Sequence, residues 1–211
     1  MHRARQSVLE WYDRHGRDLP WRVKKGQQDP YKVWLSEIML QQTTVMAVAP
    51  YYKKFIDIWP NVTALANADD DAVMQAWAGL GYYARARNLL KCARVIRDDF
   101  QGVFPEDEKI LLSLPGVGAY TAAAICSIAF NKPTIVVDGN IERIASRVFD
   151  IATPMPALKN EVKQAIGPMM QIDDGRQSDF VQAMMDIGAS ICTPKAPKCM
   201  LCPLQAGCRT T

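Results

Sequence analysis

An all-α protein is predicted by three observations. Apolar residues recur at helical spacing along nearly the whole chain, and the breaks between them carry capping and turn residues. The one strand-like run, Ile135-Val136-Val137, is too short to build a sheet. Val8, Leu9 and Tyr12 start an amphipathic first helix that stops at Gly16. Val33, Trp34 and Leu40 put Glu37 on a second helical face. Val45, Val48, Ala49, Tyr52, Phe55 and Ile56 keep a third stripe after an N-cap at Thr43, with a kink expected at Pro50. Asp69 to Asp71 read as a cap and acidic first turn for a helix through Trp77. That helix stops at Gly79-Leu80-Gly81, and the next runs from about Tyr82 to Asp98. Four more cover Tyr120 to Phe130, Asn140 to Phe149, Ala157 to Gly167 and Ser178 to Cys192.

Composition narrows the class. A chain of 211 residues can bury a real core as one domain or two small ones, and 49% hydrophobic residues exclude a disordered chain. No apolar run reaches membrane-spanning length, and the N-terminal residues lead straight into helical pattern without reading as a signal peptide. Six cysteines in that setting point to a reducing compartment, with the cytoplasm as the expected location. Cys92 and Cys126 lie inside helical stripes as core thiols. The formal charge of +3 is too small to indicate nucleic acid by itself, so local placement of charge matters more.

The other four cysteines are spaced Cys192-x6-Cys199-x2-Cys202-x5-Cys208. Four thiolates so close suit a [4Fe–4S] cube, a structural zinc or two disulfides. Zinc ribbons usually pair two Cys-x2-Cys knuckles, and the single knuckle here favours iron–sulfur. Lys195 and Lys198, in the Cys192–Cys199 loop with Pro194 and Pro197, are either phosphate contacts or a solvated basic stretch.

Gly79-Leu80-Gly81-Tyr82-Tyr83-Ala84 fits a dinucleotide-binding fingerprint on paper, but a helix rather than a strand precedes it, so that reading is rejected. Leu114-Pro115-Gly116-Val117-Gly118-Ala119-Tyr120-Thr121 sits between two helices. Gly116 and Gly118 permit a tight turn whose N–H groups, with the following helix dipole, could grip a DNA phosphate; a plain helical corner fits these residues as well. Asp138 precedes the helix opening at Asn140, where it can cap the helix and also offset positive charge developing on a sugar. Glu37, among apolar neighbours, should lose hydration and hold its proton more tightly. Two carboxylates in contrasting surroundings suggest an acid and an anion.

The stretch from Pro30 to Thr43, together with Gly79 to Leu89, Val137-Asp138-Gly139-Asn140 and Gln182 to Ala189, closely resembles MutY-type adenine DNA glycosylases of the endonuclease III, or helix-hairpin-helix, superfamily. The likeness runs from about Trp11 to Cys208 and is carried by several long motifs at once. It implies a six-helix barrel lobe over residues 23–131 and an iron–sulfur cluster lobe made of residues 1–22 and 132–211, with the DNA cleft between them. It makes Glu37 the acid that protonates an extruded adenine, Asp138 the carboxylate that stabilises an oxocarbenium-like sugar, and Asn140 the neighbour that supports Asp138. Tyr120 falls where bifunctional relatives carry a Schiff-base Lys; Tyr cannot form an imine, so the enzyme would be monofunctional. Gln42 and Tyr82 match wedging side chains, Gly116 and Gly118 the DNA-gripping hairpin, and Arg17, Trp21 and Arg22 residues near the adenine pocket and opposing strand. Val23 to Asp29 departs from the family pattern, which leaves that pocket edge least defined. The implied cofactor is a [4Fe–4S] cluster on Cys192, Cys199, Cys202 and Cys208. The implied partner is duplex DNA carrying an adenine:8-oxoguanine or adenine:guanine mispair, bound by a monomer.

Family members usually continue into a domain that senses 8-oxoguanine. This chain ends three residues after Cys208, so weaker preference for the lesion is expected. A G:T mismatch thymine glycosylase is the nearest alternative. A catalytically silent cluster protein is another, which retention of both Glu37 and Asp138 opposes.

Overall fold

The structure, a computed structural model, describes residues 1–23 and 28–210. Among them are eleven α-helices, two 3-10 turns and no strand, as the periodicity predicted. No helix among the described residues is long and apolar enough to cross a membrane. The chain divides into two compact units, Asp18–Phe130, and Met1–Arg17 with Asn131–Thr211.

The discontinuous unit begins with α1 (His2–His15). The chain then builds the continuous unit from α2 (Pro30–Leu40), α3 (Val45–Ile58), α4 (Val62–Ala66), α5 (Asp70–Trp77), α6 (Ala84–Asp99), α7 (Glu108–Ser113) and α8 (Ala119–Phe130). It returns to complete the first unit with α9 (Gly139–Phe149), α10 (Leu158–Met170) and α11 (Gln177–Ser190).

Helices α2 and α8 are the core of the 18–130 unit. Eight of the eleven residues of α2 are buried and nine of the twelve of α8, so neither shows the one-sided stripe of a surface helix. Around them Phe55 meets Trp77 edge to face at 5.7 Å, and Trp34 packs on Phe104 at 5.4 Å. Cys92 and Cys126 are buried here as read from the sequence, and burial pushes the Cys92 thiol up to about 12.

Several boundaries differ from the sequence reading. The cap of α3 is Thr44, whose hydroxyl accepts from the Ala47 N–H, because Gln42 takes left-handed φ (+56°) and delays the helix past Thr43. Helix α6 starts at Ala84 because Tyr82 is also left-handed (φ +48°). Helix α10 continues through Pro168 to Met170. The short helices α4 and α7 lack the length for a visible stripe; their signals are the caps Asn61 and Asp107, each accepting from backbone N–H groups of the first turn.

In the other unit α11 packs against α1 and α9. Arg5, 2% exposed, crosses from α1 to donate to both carboxylate oxygens of Asp174 at 2.7 Å, to the Met169 carbonyl and to Gln177, with its guanidinium over the Phe180 ring at 4.3 Å. Hydrogen bonding from Arg5 holds the Asp174 carboxyl below its usual range. A carboxyl lowered in the folded state stabilises above its unfolded pKa, and the contribution is lost as pH falls through the lowered folded value. The melting temperature should therefore drop as pH is lowered below about 4. Asp174→Asn should flatten that dependence; an unchanged acid profile would remove Asp174 as its source.

Candidate active site and cysteine cavity

Glu37 lies in the third turn of α2 and is 8% exposed, between buried Ser36 and Ile38. The helix is fixed at its start by Asp29, whose carboxylate accepts the Tyr31 N–H at 2.9 Å with Pro30 in the first turn. Its far end meets α8, where Gln41 Nε2 donates to Thr121 Oγ1 at 3.4 Å. Tyr120 is half-buried in the first turn of α8. A carboxyl so placed is shielded from bulk water.

The α7–α8 connection is a helical hairpin. Gly116 has φ +76°, and a Cβ there would sit 2.8 Å from Asn88 Cβ, so a close approach as well as the turn requires glycine. Gly118 opens α8, its carbonyl accepting from the Ala122 N–H, and Val117 between the glycines is buried as an anchor. Gln42 and Tyr82 are both exposed on left-handed turns at the end of α2 and before α6.

In the other unit Asp138 caps α9. One carboxylate oxygen accepts the Ile141 N–H at 2.7 Å; the other accepts from Asn140 Nδ2 at 3.0 Å. Asn140 Oδ1 in turn accepts from Arg143 Nη2 at 2.9 Å, and Arg143 also donates to the carbonyls of Gly188 and Cys192. The donors form a one-way relay toward Asp138. Gly188 is what lets α11 close on it, because a Cβ there would stand 2.4 Å from Asn140 Cβ. Arg143 and Arg147 were missed from sequence. Their helical spacing after Asn140 on α9 is the signal that was available.

The four cysteines line one cavity of about 370 Å³ with Ile144, Val148 and Ile191. Arg147 donates to Cys192 Sγ at 3.4 Å and to the Thr193 carbonyl at 2.8 Å, tying the loop to α9. Burial, and then the neighbouring thiols, push the Cys202 thiol up. Among the described residues no group of three or more His, Cys, Asp or Glu side chains is placed to hold a metal ion. Lys195 and Lys198 are exposed on this loop.

Of the remaining predicted residues, Arg17 belongs to one unit and Trp21 and Arg22 to the other. Arg17 makes an ion pair with the fully buried Asp186 through its guanidinium Nε at 2.5 Å, and its backbone N–H donates to the other carboxylate oxygen at 2.9 Å. Trp21 is buried edge to face against Tyr52 at 5.4 Å, and Arg22 is partly exposed beside it in sequence. Of the ill-matched segment Val23 to Asp29, residues 24–27 lie outside the described residues.

Residues 35–167 match the family model of the HhH-GPD superfamily base excision DNA repair protein. The chain belongs to that superfamily. It is 42% identical over 206 residues to an adenine DNA glycosylase of Buchnera aphidicola subsp. Baizongia pistaciae, covering 97% of this chain and 57% of that protein. It is 44% identical over 212 residues to the Homo sapiens adenine DNA glycosylase, covering 97% of this chain and 39% of that protein. The chain thus spans about half the length, or less, of these relatives. Among solved structures it is similar to a thermostable thymine-DNA glycosylase, with TM-score 0.82 and 29% identity over 99% of this chain and 97% of that one. An endonuclease III from a non-covalent DNA complex shares the fold, with TM-score 0.75 and 24% identity over 98% of this chain and 92% of that one.

Proposed function

We propose that this chain hydrolyses the N-glycosidic bond of adenine mispaired with 8-oxoguanine or guanine in duplex DNA, leaving an abasic site without strand cleavage. The observation that carries this reading is the 42–44% identity to adenine DNA glycosylases sustained over 97% of the chain. The buried Glu37 and the helix-capping Asp138 within it support the chemistry. The target nucleotide is extruded from the duplex, at least cost where it is mispaired. Glu37 gives its proton to the departing adenine, which takes the bonding electron pair. Asp138, held as an acceptor by Asn140 and the Ile141 N–H, offsets the positive charge left on the sugar. Water then bonds to the sugar carbon and loses a proton. Tyr120 has no amine with which to form an imine, which supports hydrolysis alone. Gly116, Gly118, Lys195 and Lys198 contact phosphates, Gln42 and Tyr82 enter the stack, and Trp21 and Arg22 border the base. The enzyme works as a monomer in the cytoplasm.

A second reading, thymine removal from G:T mispairs, draws on the thymine-DNA glycosylase whose structure is similar over nearly the whole chain. Duplexes carrying adenine or thymine opposite guanine or 8-oxoguanine, treated with protein and then alkali, separate the two. Breaks at adenine are expected. Breaks at thymine alone would establish the alternative, and none at either would overturn both.

Cys192, Cys199, Cys202 and Cys208 are the residues that would hold a [4Fe–4S] cluster. Four thiols lining one cavity suit such a group, and the single Cys-x2-Cys knuckle supports iron–sulfur over a zinc ribbon. Such a cluster would add ligand-binding free energy to the fold and take no part in the bond cleavage. The purified protein is expected to be yellow-brown, with absorbance near about 400 nm and stoichiometric iron and sulfide. Cys202→Ser should lower melting temperature and soluble yield. Stoichiometric zinc in a colourless protein would refute the assignment.

A further inference from the structure

The exposed side chains of Gln42 and Tyr82 stand on two separate turns, and one buried guanidinium joins those turns. Arg85, in the first turn of α6, is 9% exposed. Its Nη1 donates to the carbonyls of Met39 and Gln41 at 2.8 and 2.5 Å, in the stretch where α2 has run out of partners for its last carbonyls. Its Nη2 reaches Thr43 Oγ1 at 3.1 Å and the carbonyls of Leu80 and Gly81 at 3.3 Å. The guanidinium also lies over the rings of Trp77 and Tyr82, at 5.4 and 5.3 Å from their centroids.

The backbone at these turns is one that side chains avoid. Gln42 and Tyr82 are non-glycine residues at φ +56° and +48°, and Tyr82 is 60% exposed, so burial of its own ring does not account for the conformation. Left-handed residues persist where their surroundings over-determine them, and such residues gather at functional surfaces. Here the over-determination is traceable. Arg85 bonds the residues on both sides of Gln42 and the two residues before Tyr82, and Trp77 Nε1 adds a second bond to the Gly81 carbonyl at 2.9 Å.

We propose that Arg85 is a positioning residue for base extrusion, locking the Gln41–Thr43 and Leu80–Tyr82 turns into one rigid piece so that Gln42 and Tyr82 enter a duplex together. The proposal rests on the base-excision reading above. A wedge must displace a stacked base as a stiff body, because side chains that yield independently return the strain to their own backbone.

Arg85→Lys keeps the charge but offers one ammonium on a flexible stem, which cannot serve both turns at once. In the full-length variant, amide hydrogen exchange should accelerate at Gln41–Thr43 and Leu80–Tyr82 and stay unchanged through the interiors of α2 and α6. Single-turnover adenine release should fall about tenfold or more from an A:G mispair, yet less than about threefold when adenine stands unpaired opposite an abasic nucleotide. Combining Arg85→Lys with Tyr82→Ala should slow release from the mispair little beyond Tyr82→Ala alone. Equal loss on both duplexes, or exchange spreading through α2 and α6, would show ordinary structural support and overturn the proposal; so would a wild-type rate on the mispair. If wild-type protein releases adenine from neither duplex the base-excision reading fails, while the exchange experiment still judges the clamp.

Discussion

Glu37→Gln is expected to slow adenine release by about three orders of magnitude while leaving mispair binding within a few-fold. The substitution preserves shape and the capacity to hydrogen bond, and removes the acidic proton alone. General acid catalysis contributes roughly 10²–10⁴ to such steps, so a thousandfold loss, about 4 kcal/mol of barrier, lies within its range. Because Glu37 is 8% exposed in a helix with buried residues on almost every face, water is poorly placed to substitute as the acid. Binding should survive, since the proton is given up only in the transition state. Single-turnover excision with a parallel binding titration on the same mispair measures both quantities. A rate within about fivefold of wild type would remove Glu37 from the acid role.

Asp138→Asn should lose at least about two orders of magnitude in excision with little change in melting temperature. Asn is as good a helix cap as Asp, so the bond from the Ile141 N–H can persist and α9 should stay formed. The other carboxylate oxygen is the vulnerable one. It accepts from Asn140 Nδ2, and an Asn amide there would set one NH2 against another. Asn140 cannot simply turn over, because its own oxygen accepts from Arg143. The variant thus loses both the negative charge and the relay that orients it. Excision rates and thermal melts of the same preparation test this. A large drop in melting temperature with proportionate loss of activity would indicate that Asp138 serves only as the cap.

The sequence by itself determined what depends on residues three or four apart. The stripes that became α1, α3 and α9, the cap and acidic turn of α5 at Asp69 to Asp71, the helix start beyond Asp138 and the core placement of Cys92 and Cys126 are all local properties. Periodicity and capping are decided within one or two helical turns. The same locality explains the misses. Helices α4 and α7 are shorter than a readable stripe, and Gln42 and Tyr82 carry no sequence mark of left-handed backbone. The apolar surroundings of Glu37, the capping position of Asp138 and the grouping of the four cysteines were legible from neighbours in sequence, but the Arg143 relay behind Asp138 and the Arg147 contact with Cys192 were not.

Only the tertiary structure decided where the long cationic side chains go. Arg5 ends on Asp174 and Arg17 on Asp186, each 169 positions away in the chain, and Arg85 bonds carbonyls 44 and 46 residues earlier. Arg143 reaches from the Asp138 relay to the Cys192 carbonyl, 49 residues on, and Arg147 to the loop that frames the cysteine cavity. A guanidinium has several flexible torsions and many possible acceptors, and which carbonyls it meets is set by the packing of helices that are distant in sequence. Spacing in one dimension holds no record of that packing, so the positioning residues emerge only once the helices are in place.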